Sequence, residues 1–442
     1  MQALLDHWNA WLGEIYGPNG HWRLFLMVFP YFLLFEVPMN LLVLLGTLRW
    51  FTRTRSAVPL HSTYQPRVSC VITCYGEGEA VGLTLRTLAE QTYPGTIEII
   101  PVVDGAAANQ ATTAAVRRFK QNTRLPANRL VRPIAKWQRG GRVSTLNAGL
   151  ALSTGEIIIN VDGDTSFDND MVVRMVRHFA DPKVPAVAGS LRVRNARQSL
   201  VARVQALEYL LSIHMAKIGL SEFNLVNNVS GAFGAFRKSF LQHIGGWDTH
   251  TAEDLDLTLR IKSYFRQYGL RVPFEPQAIG HTDAPHTLLG FLQQRLRWDG
   301  DLFFVYMRKH RHAFNPKLVG WRNFFMLLLS GLFFQLVLPY IILGYSLVAL
   351  FVLPFSAFVF YGLLIYCLYF ALCALLYLGL IVMVSERQRE DLRLLWILPI
   401  YPLAMYGLRL WSTVAILNET LRRGHEESSM APWWVLKRAT RF

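Results

Sequence analysis

The feature that most constrains this chain is a long apolar segment without charge. From Phe324 to Val384 the sequence contains no Asp, Glu, Lys or Arg. A helix that crosses the hydrocarbon core of a bilayer needs only about 20 such residues. The segment is therefore too long for one span and predicts two, with Pro354 near the turn between them. A third apolar block, Leu24–Leu48, predicts another span, because the core helices of soluble proteins rarely exceed ~20 residues.

Basic residues follow these blocks. The formal net charge is +15, a balance found in nucleic-acid-binding proteins and also in membrane proteins with basic cytoplasmic loops. The basic residues cluster after the first block, after Val384 and near the C-terminus. Cytoplasmic loops are enriched in Lys and Arg. We therefore interpret the charge as membrane topology, with all three clusters in the cytoplasm, Met1 outside and no nucleic-acid partner.

Two segments at the edges of the apolar regions are less regular. Leu394–Leu417 is apolar, but a full crossing would export the basic tail, and Pro399 and Pro402 favour a re-entrant or interfacial helix. Residues 1–23 have aromatic residues among polar ones, which is typical of an interfacial segment. The predicted division begins with this interfacial segment at 1–23, which is followed by a transmembrane helix at 24–48 and a cytoplasmic domain at 49–290. An interfacial helix region at 291–318, a transmembrane region at 319–418 and a basic cytoplasmic tail at 419–442 follow.

The segment between Arg49 and Lys317 contains no apolar run long enough to cross a membrane. Short β-branched runs alternate there with helix-period patterns, which predicts an α/β fold with a parallel, doubly wound sheet. Ligands of such sheets bind at the carboxyl ends of the strands. The predicted strands are Arg67–Cys74, Thr96–Val103, Arg129–Ile134 and Glu156–Val161, and the predicted helices are Ala80–Gln91, Ala108–Gln121 and Gly141–Leu152.

Acidic residues end two of these strands and open a later helix. Asp104 ends the second strand, Asp162-Gly163-Asp164 ends the fourth, and Glu253-Asp254 opens a helical pattern. Two carboxylates this close repel each other unless a cation is present, so the Asp-x-Asp suits Mg²⁺ or Mn²⁺ holding a diphosphate. The alternative is a turn with solvated aspartates, since Asp-Gly is a common turn dipeptide. Acidic residues are also common in first helical turns.

The last motif, Gln294-Arg295-Leu296-Arg297-Trp298, lies just before the uncharged segment. An arginine and a tryptophan at this position would suit a phosphate and a sugar ring, respectively. The alternative is an interfacial helix in which arginines extend towards the headgroups and the tryptophan belongs to an aromatic belt.

The order of these motifs is more informative than any one of them. A strand-end Asp, an Asp-x-Asp, a Glu-Asp and a Gln-x-x-Arg-Trp followed by spans resemble the processive family-2 glycosyltransferases. These include cellulose, chitin, hyaluronan and poly-β-1,6-N-acetylglucosamine synthases. The resemblance runs from Val68 to Trp298 by motif, and Gly189–Tyr209 favours the poly-N-acetylglucosamine synthases. It implies a GT-A domain with a doubly wound mixed sheet, on the cytoplasmic side of a bacterial inner membrane.

The resemblance also implies partners and residue roles. The partners would be a UDP-sugar donor, a growing polysaccharide and the lipid bilayer, with Mg²⁺ or Mn²⁺ as cofactor. Asp254 would be the general base beside Glu253. The implied donor-binding residues are Tyr75, Glu77, Asp104, Arg142, Asp162 and Arg297; the implied metal ligands are Asp162 and Asp164; and the implied acceptor-binding residues are Ser230, Gly231, Gln294 and Trp298.

Three positions depart from the family pattern. Gly76 stands where relatives commonly have Asn, Ala252 where they have Thr, and Arg142 where they have Lys. UDP-N-acetylglucosamine and UDP-glucose therefore both stay open as donors, and so does a glucan synthase. A single-transfer polyprenyl-phosphate glycosyltransferase would share the aspartates but fits Gln-x-x-Arg-Trp poorly. A transporter would place its ionisable residues within spans. With three spans, a small membrane subunit or a homo-oligomer is expected to assist export.

Overall fold

The computed structural model describes residues 32–56, 63–249, 251–427 and 431–439, together with positions 6 and 10. The predicted interfacial segment 1–23 lies almost wholly outside the described residues, as does the beginning of the predicted first span. Within them, one sheet with its covering helices is followed by a helical region that contains the uncharged segment.

The described residues form nine strands, of which the second ends just before Asp104 and the fifth ends at Asp162. They are β1 Val68–Cys74, β2 Ile97–Val103, β3 Arg129–Val131, β4 Ile134–Ala135, β5 Ile157–Asp162, β6 Ser166–Phe167, β7 Ala186–Val193, β8 Phe233–Arg237 and β9 Phe274–Thr282. Every residue of β1 and β2 is buried, as expected for parallel strands with helices on both faces.

The sheet order is β3-β2-β1-β5-β8-β7-β9-β6, and β4 also pairs with β2. Strands β3, β2, β1 and β5 are parallel. Strand β8 is antiparallel to both β5 and β7, β9 is parallel to β7, and β6 is antiparallel to β9. The wholly parallel sheet predicted from the alternating pattern is therefore wrong for the second half, whereas the mixed sheet implied by the resemblance is confirmed.

The helices cover the sheet and then continue into the apolar region. They are α1 Val37–Ser56, α2 Val81–Ala89, α3 Gln110–Asn122, α4 Gly141–Leu152, α5 Met171–Val176, α6 Leu200–Glu208, α7 Ala216–Ser221, α8 Lys238–His243, α9 Glu253–Lys262, α10 Phe265–Tyr268, α11 Leu288–Phe303, α12 Pro316–Val319, α13 Trp321–Met326, α14 Leu338–Val352, α15 Phe355–Met383, α16 Gln388–Asp391, α17 Tyr401–Arg422 and α18 Trp433–Ala439. Turns of π-helix lie at Phe32–Glu36, Tyr209–Met215, Phe304–Lys309 and Leu327–Val337, and 3-10 turns lie at Gly78–Ala80, Arg177–Ala180, Arg311–Ala313, Leu392–Ile397 and Gly424–Glu427.

Two predicted boundaries differ from the structure. The predicted strand Arg129–Ile134 is divided into β3 and β4, because Pro133 has no backbone N–H to donate to the ladder. Helix α1 continues beyond its predicted end at Leu48. Its last turns carry Arg49 and Arg53, which pair with Glu222 beside the sheet domain. The helix therefore continues past the end of its apolar run, and its last turns contact the sheet domain.

Three described helices are long and apolar enough to cross a membrane: Phe32–Arg55, Trp321–Val352 and Phe355–Met383. The last two cover the uncharged segment, the first of them beginning three residues before it, and they are separated at Leu353-Pro354, so the sequence prediction of two helices there is confirmed. The block predicted as re-entrant or interfacial forms two helices, Gln388–Ile397 and Tyr401–Arg422, bent by 71°. This geometry suits a broken span as well as a re-entrant loop. The re-entrant or interfacial interpretation therefore stays a prediction.

Candidate active site

Asp104 directly follows β2, and its hydrogen bonds connect this strand end to the start of α4. Its buried carboxylate accepts hydrogen bonds from Lys136 Nζ at 2.6 Å and from the backbone N–H groups of Gly140 and Gly141 at 2.9 and 2.7 Å. A negative charge is favourable at a helix N-terminus, so the strand end fixes where α4 begins. A carboxylate has about four acceptor positions, and three are used here. One acceptor position is therefore left for the donor contact that the resemblance implies for Asp104.

Arg142, on the first turn of α4, is the centre of a buried network. Its guanidinium donates to Asp162 at the end of β5, to Glu253 at the start of α9 and to the carbonyl of Gly231. It also lies 3.3 Å from Thr73 Oγ1 on β1. Burial opposes the charge of Arg142, but the two carboxylates outweigh burial and raise its pKa further above its ordinary value. One side chain thus joins two of the motifs predicted separately, the Asp-x-Asp and the Glu253-Asp254 pair.

The Asp-x-Asp pair lies at the carboxyl end of β5. Asp162 accepts a hydrogen bond from Thr73 Oγ1 at 3.2 Å in addition to its pair with Arg142. Asp164 accepts one from Thr165 Oγ1 at 3.2 Å. Burial raises the pKa of Asp164, and the charge of Asp162 adds to that effect. Its negative charge is therefore poorly compensated by the protein, which is the condition in which a bound cation stabilises a carboxylate.

Glu77 lies beside this pair. A Cβ atom on Gly163 would lie 2.9 Å from both the Glu77 Cδ atom and the Thr73 carbonyl oxygen, and because that carbonyl belongs to the backbone of β1, only glycine fits between the two aspartates. Glu77 Oε2 is buried and has no hydrogen-bond partner among the described residues. Burial raises the pKa of Glu77, and Asp164 and Asp162 raise it further.

These residues fit a divalent cation only in part. Among the described residues, no group of three or more His, Cys, Asp and Glu is arranged to hold a metal by itself. The poorly compensated charge of Asp164 and the unpartnered oxygen of Glu77 nevertheless mark a place where positive charge would be favourable. Asp162 and Asp164 would hold the ion, and a donor diphosphate would supply further oxygen ligands. When bound, such an ion neutralises charge that develops on a leaving diphosphate.

Helix α9 places Glu253 and Asp254 opposite the strand ends. Ala252, which precedes the helix, has φ +44°, a left-handed conformation that is uncommon outside glycine. Glu253 is buried against Arg142. Burial raises the pKa of Glu253 despite this pairing, and Asp254 and Asp162 add to the rise.

The Asp254 carboxylate is held in one orientation. Its Oδ2 accepts hydrogen bonds from Asn228 Nδ2 and from the N–H of Gly231, both at 3.1 Å, and its Oδ1 accepts one from the N–H of Leu255 at 2.7 Å. The carbonyl of Gly231 also accepts a hydrogen bond from Asn160 Nδ2. A Cβ on Gly231 would lie 2.7 Å from Glu253 Oε1. The glycine is needed because its backbone lies between the two acidic residues.

The Gln-x-x-Arg-Trp motif lies on α11. Trp298 packs against the hydrophobic core of the sheet, and the Arg295 guanidinium lies 4.8 Å from the centre of its ring. Arg295 also pairs with Glu208 at 2.6 Å. The buried Gln294 Oε1 has no hydrogen-bond partner among the described residues.

Helix α11 is also fastened to the apolar region. Asp299 accepts a hydrogen bond from Ser412 Oγ at 2.6 Å, and Trp411 Nε1 donates to the carbonyl of Leu292 at 2.9 Å. Both partners lie on α17. The helix that carries the predicted acceptor motif therefore contacts the sheet domain and the helical region at once.

The structure brings five of the predicted residues into direct contact. Hydrogen bonds join Asp162, Arg142, Glu253, Gly231 and Asp254 into one network. Tyr75 is half-exposed, and its ring is covered by the Arg139 guanidinium at 3.9 Å. Ser230 flanks the Gly231 backbone, and its carbonyl accepts a hydrogen bond from the N–H of Phe233.

Sequence reasoning did not identify several residues of the site. They are Thr73, Lys136, Arg139, Asn160, Asn228 and Arg295. Lys136 and Arg139 had a detectable signal, because two cations precede the Gly-Gly that opens α4. The others are single polar residues whose roles depend on distant partners.

Comparison with known proteins shows the family to which the chain belongs. A sequence profile described as "Glycosyltransferase like family 2" matches residues 66–300. The poly-beta-1,6-N-acetyl-D-glucosamine synthase of Staphylococcus epidermidis (strain ATCC 35984) is 29% identical over 284 residues, 61% of this chain and 64% of that protein. The synthase of the same name from Staphylococcus aureus (strain COL) is 30% identical over 232 residues, 52% of this chain and 53% of that protein. The matches thus span about half to two thirds of these relatives' lengths.

A solved structure shows the same architecture. The mannosyltransferase PcManGT from Pyrobaculum calidifontis, in complex with GDP-Man and Mn²⁺, superimposes with a TM-score of 0.57. The superposition covers 90% of this chain and 98% of that chain, at 19% sequence identity. At this identity the likeness shows the fold alone, a GT-A fold. The profile match covers more than half of the chain, and the chain therefore belongs to the glycosyltransferase family 2.

Proposed function

We propose that this chain is a membrane-bound, inverting synthase that polymerises poly-N-acetylglucosamine from UDP-N-acetylglucosamine and couples synthesis to export. It would act from the cytoplasmic face of a bacterial inner membrane. The observation that carries the proposal is the buried Arg142 network. It holds the Asp-x-Asp strand end next to the first turn of the Glu253-Asp254 helix through one side chain. A donor diphosphate and an acceptor hydroxyl would meet beside this network.

The donor would lie along the strand ends. Tyr75, Glu77 and Asp104 would line the nucleoside side, and Asp162 and Asp164 would hold a divalent cation on the diphosphate. The Mn²⁺ of the structural neighbour supports a divalent ion in this fold. The relatives named as poly-N-acetylglucosamine synthases support the choice of donor.

Asp254 would take the proton from the acceptor hydroxyl. A general base must present its oxygen at a fixed distance and angle to the attacking group. The three hydrogen bonds that the Asp254 carboxylate accepts hold it in such an orientation. Direct displacement by that hydroxyl at the anomeric carbon, with UDP leaving, forms one glycosidic bond with inversion.

Helix α11 supports a polymer over a single transfer. It lies against the sheet core through Trp298 and against α17 through Asp299. The acceptor site would therefore adjoin the region through which a product would leave. Aromatic rings pack well against the C–H faces of sugars, so Trp298 would support the terminal sugar while Arg297 holds the leaving diphosphate.

The product distinguishes this proposal from its alternatives. Purified protein in lipid nanodiscs is incubated with radiolabelled UDP-N-acetylglucosamine, UDP-glucose and other UDP-sugars, and the product linkage is determined. A polymer from UDP-N-acetylglucosamine supports the proposal. A polymer from UDP-glucose alone would indicate a glucan synthase, and a labelled glycolipid without polymer would indicate single transfer to a polyprenyl phosphate.

Two substitutions divide the roles within the motif. Trp298→Ala should abolish polymer formation and spare UDP affinity, whereas Arg297→Ala should weaken UDP binding by about tenfold or more, because a charge-assisted contact is lost. Phe291→Leu is the matched control, because Phe291 also lies under the Arg295 guanidinium, at 5.0 Å. Long polymer from the Trp298 variant, or an equal loss of UDP affinity in both variants, would contradict this division.

A further inference from the structure

Lys217 is a buried lysine outside the residues assigned to the sugar site. It lies on α7 and is only 5% exposed. Its Nζ donates to the carbonyl of Asn228 at 3.0 Å, and it has no ion-pair partner in the part of the chain that the structure describes. Burying an ammonium group without a paired carboxylate costs free energy, and such groups are concentrated at functional sites. Lys217 is therefore a candidate for a role in the reaction.

Asn228 connects Lys217 to the proposed general base. While its carbonyl accepts the hydrogen bond from Lys217, its Nδ2 donates to Asp254 Oδ2 at 3.1 Å. The same loop donates to that oxygen a second time, from the N–H of Gly231 at 3.1 Å, and the N–H of Val229 fastens the loop to α9. One loop thus orients the carboxylate, and Lys217 holds this loop at Asn228.

The positive charge of Lys217 also acts on Asp254. Burial lowers the pKa of Lys217 to about 8, and the negative charge of Asp254 partly opposes this fall. Because the attraction is mutual, the ammonium stabilises the ionised carboxylate through the same interaction. The adjacent Glu253 repels that carboxylate and has its own ion pair, with Arg142. Each of the two acidic residues that begin α9 is therefore associated with a different cation.

Helix α7 is packed closely against α1, which lies in the first candidate span. A Cβ on Gly219 would lie 2.3 Å from the carbonyl oxygen of Val43, and one on Gly46 would lie 2.1 Å from the carbonyl oxygen of Gly219. The two helix backbones are thus in direct contact, without a side chain between them that could yield. Lys217 lies two residues before Gly219, so α1 fixes the position from which it holds Asn228.

The hydrogen bonds leave the Asp254 carboxylate one acceptor position. A carboxylate has about four such positions, and three are used by Asn228, Gly231 and Leu255. A general base needs the remaining one for the proton that it receives. The orientation of the carboxylate therefore decides where that position points.

We propose that Lys217 is a positioning residue for Asp254. Its ammonium fixes the Asn228 carbonyl, and with it the amide that orients one oxygen of Asp254, while its charge favours the ionised form that accepts a proton. Lys217 itself exchanges no proton with the substrate: the proton of the acceptor hydroxyl goes to Asp254 as the glycosidic bond forms and UDP leaves. The inference rests on the proposed role of Asp254 as the general base.

A substitution at Lys217 should lower turnover without weakening donor binding. Lys217→Met keeps an apolar chain of similar length and removes the ammonium. We expect turnover to fall by about tenfold or more, the effect of losing a hydrogen bond from a charged group, while UDP affinity stays within about twofold of the wild type. Turnover is measured in lipid nanodiscs with the UDP-sugar on which the wild type is fastest, and UDP affinity by isothermal titration calorimetry. A loss of turnover smaller than about threefold would overturn the proposal.

The Asp254→Asn background separates positioning from a purely structural role. The carboxylate is absent there, so adding Lys217→Met should lower the residual turnover by less than about twofold. An equal loss in both backgrounds would show that Lys217 acts without Asp254, which overturns this inference and leaves the proposed base intact. If Asp254→Asn alone retains about a third of wild-type turnover, the proposed base fails, and this inference fails with it.

Three further variants control for folding, which is checked for each by thermal unfolding. Lys262→Met removes another buried ammonium from α9, whose Nζ has no hydrogen-bond partner among the described residues, and should keep wild-type turnover. Asn228→Ala interrupts the same connection at a half-buried residue and should reproduce the loss of turnover and its dependence on Asp254. Lys217→Arg keeps a charged donor and should lie between the wild type and Lys217→Met. Equal losses of turnover in Lys262→Met and Lys217→Met, or wild-type turnover in Asn228→Ala, would contradict the assignment.

Discussion

Replacing Arg142 by methionine tests whether the active-site network depends on a single cation. The Arg142 and Glu253 side chains are 12% and 8% exposed, so water screens their pairing little. The substitution keeps an apolar stem and leaves Asp162 and Glu253 facing each other without a shared cation. Breaking a buried ion pair from one side typically destabilises a protein by about 3–5 kcal/mol.

The corresponding shift in melting temperature is large. For a domain of this size, 1 kcal/mol lowers the midpoint by about 2–4 °C, so Arg142→Met should lower it by roughly 6–20 °C. Arg142→Lys keeps the charge but lacks the planar fork that contacts three partners, and we expect it to lie between the wild type and the methionine variant. The measurement is thermal unfolding of detergent-purified protein by tryptophan fluorescence at one fixed scan rate, because unfolding of such proteins is commonly irreversible.

A double substitution identifies the cause. Arg142→Met combined with Glu253→Gln removes one of the two stranded carboxylates, so part of the lost stability should return. Interacting residues of this kind show coupling energies of about 0.5–3 kcal/mol. The reasoning is refuted if the midpoint shifts of the two single variants add up to that of the double variant to within about 2 °C, the shift expected for ~0.5 kcal/mol. It is also refuted if Arg142→Met shifts the midpoint by less than about 2 °C, the shift expected for 1 kcal/mol or less.

The remaining predictions concern catalysis, metal and pH. Asp254→Asn should leave UDP-sugar binding near wild type while turnover falls about a hundredfold or more, and retention of a third of the turnover would exclude this role. Asp164→Ala should abolish metal-dependent donor binding, and full activity of EDTA-treated enzyme would exclude the metal. Burial raises the pKa of Asp301 to about 7, so the folded state binds this proton more tightly than the unfolded state does. The contribution of Asp301 to stability should therefore fall as pH rises from about 4 to 7, by up to about 1.4 kcal/mol per pH unit. Asp301→Asn should remove this contribution, so the melting temperature of the variant relative to the wild type should rise between about pH 4 and pH 7, and a constant difference would refute the assignment.

Local sequence patterns were sufficient to predict most strands and helices in the first half of the sheet domain. Strands β1, β2 and β5 lie within a residue of their predicted bounds, and Gly141–Leu152 has both predicted ends. These segments are short apolar runs bounded by Gly or by polar residues, so their burial is visible in the sequence. The later strands were not predicted. Strand β7 contains the buried Arg192, which pairs with Asp391 from beyond the uncharged segment, and β9 contains the buried Glu275, which pairs with Arg177. Charges inside a strand conceal its apolar pattern until their partners are known.

The sequence by itself predicted which residues would carry chemistry, because carboxylates at strand ends in this order resemble one family, and it predicted the apolar helices, because an uncharged segment of this length is typical of spans. Only the tertiary structure decided how they are arranged. Arg142 lies 20 residues from Asp162 and 111 residues from Glu253, and no local pattern reports a contact over such separations. The identity of each residue is known from the sequence, whereas its pairing and burial depend on how the sheet packs against the helices that follow it.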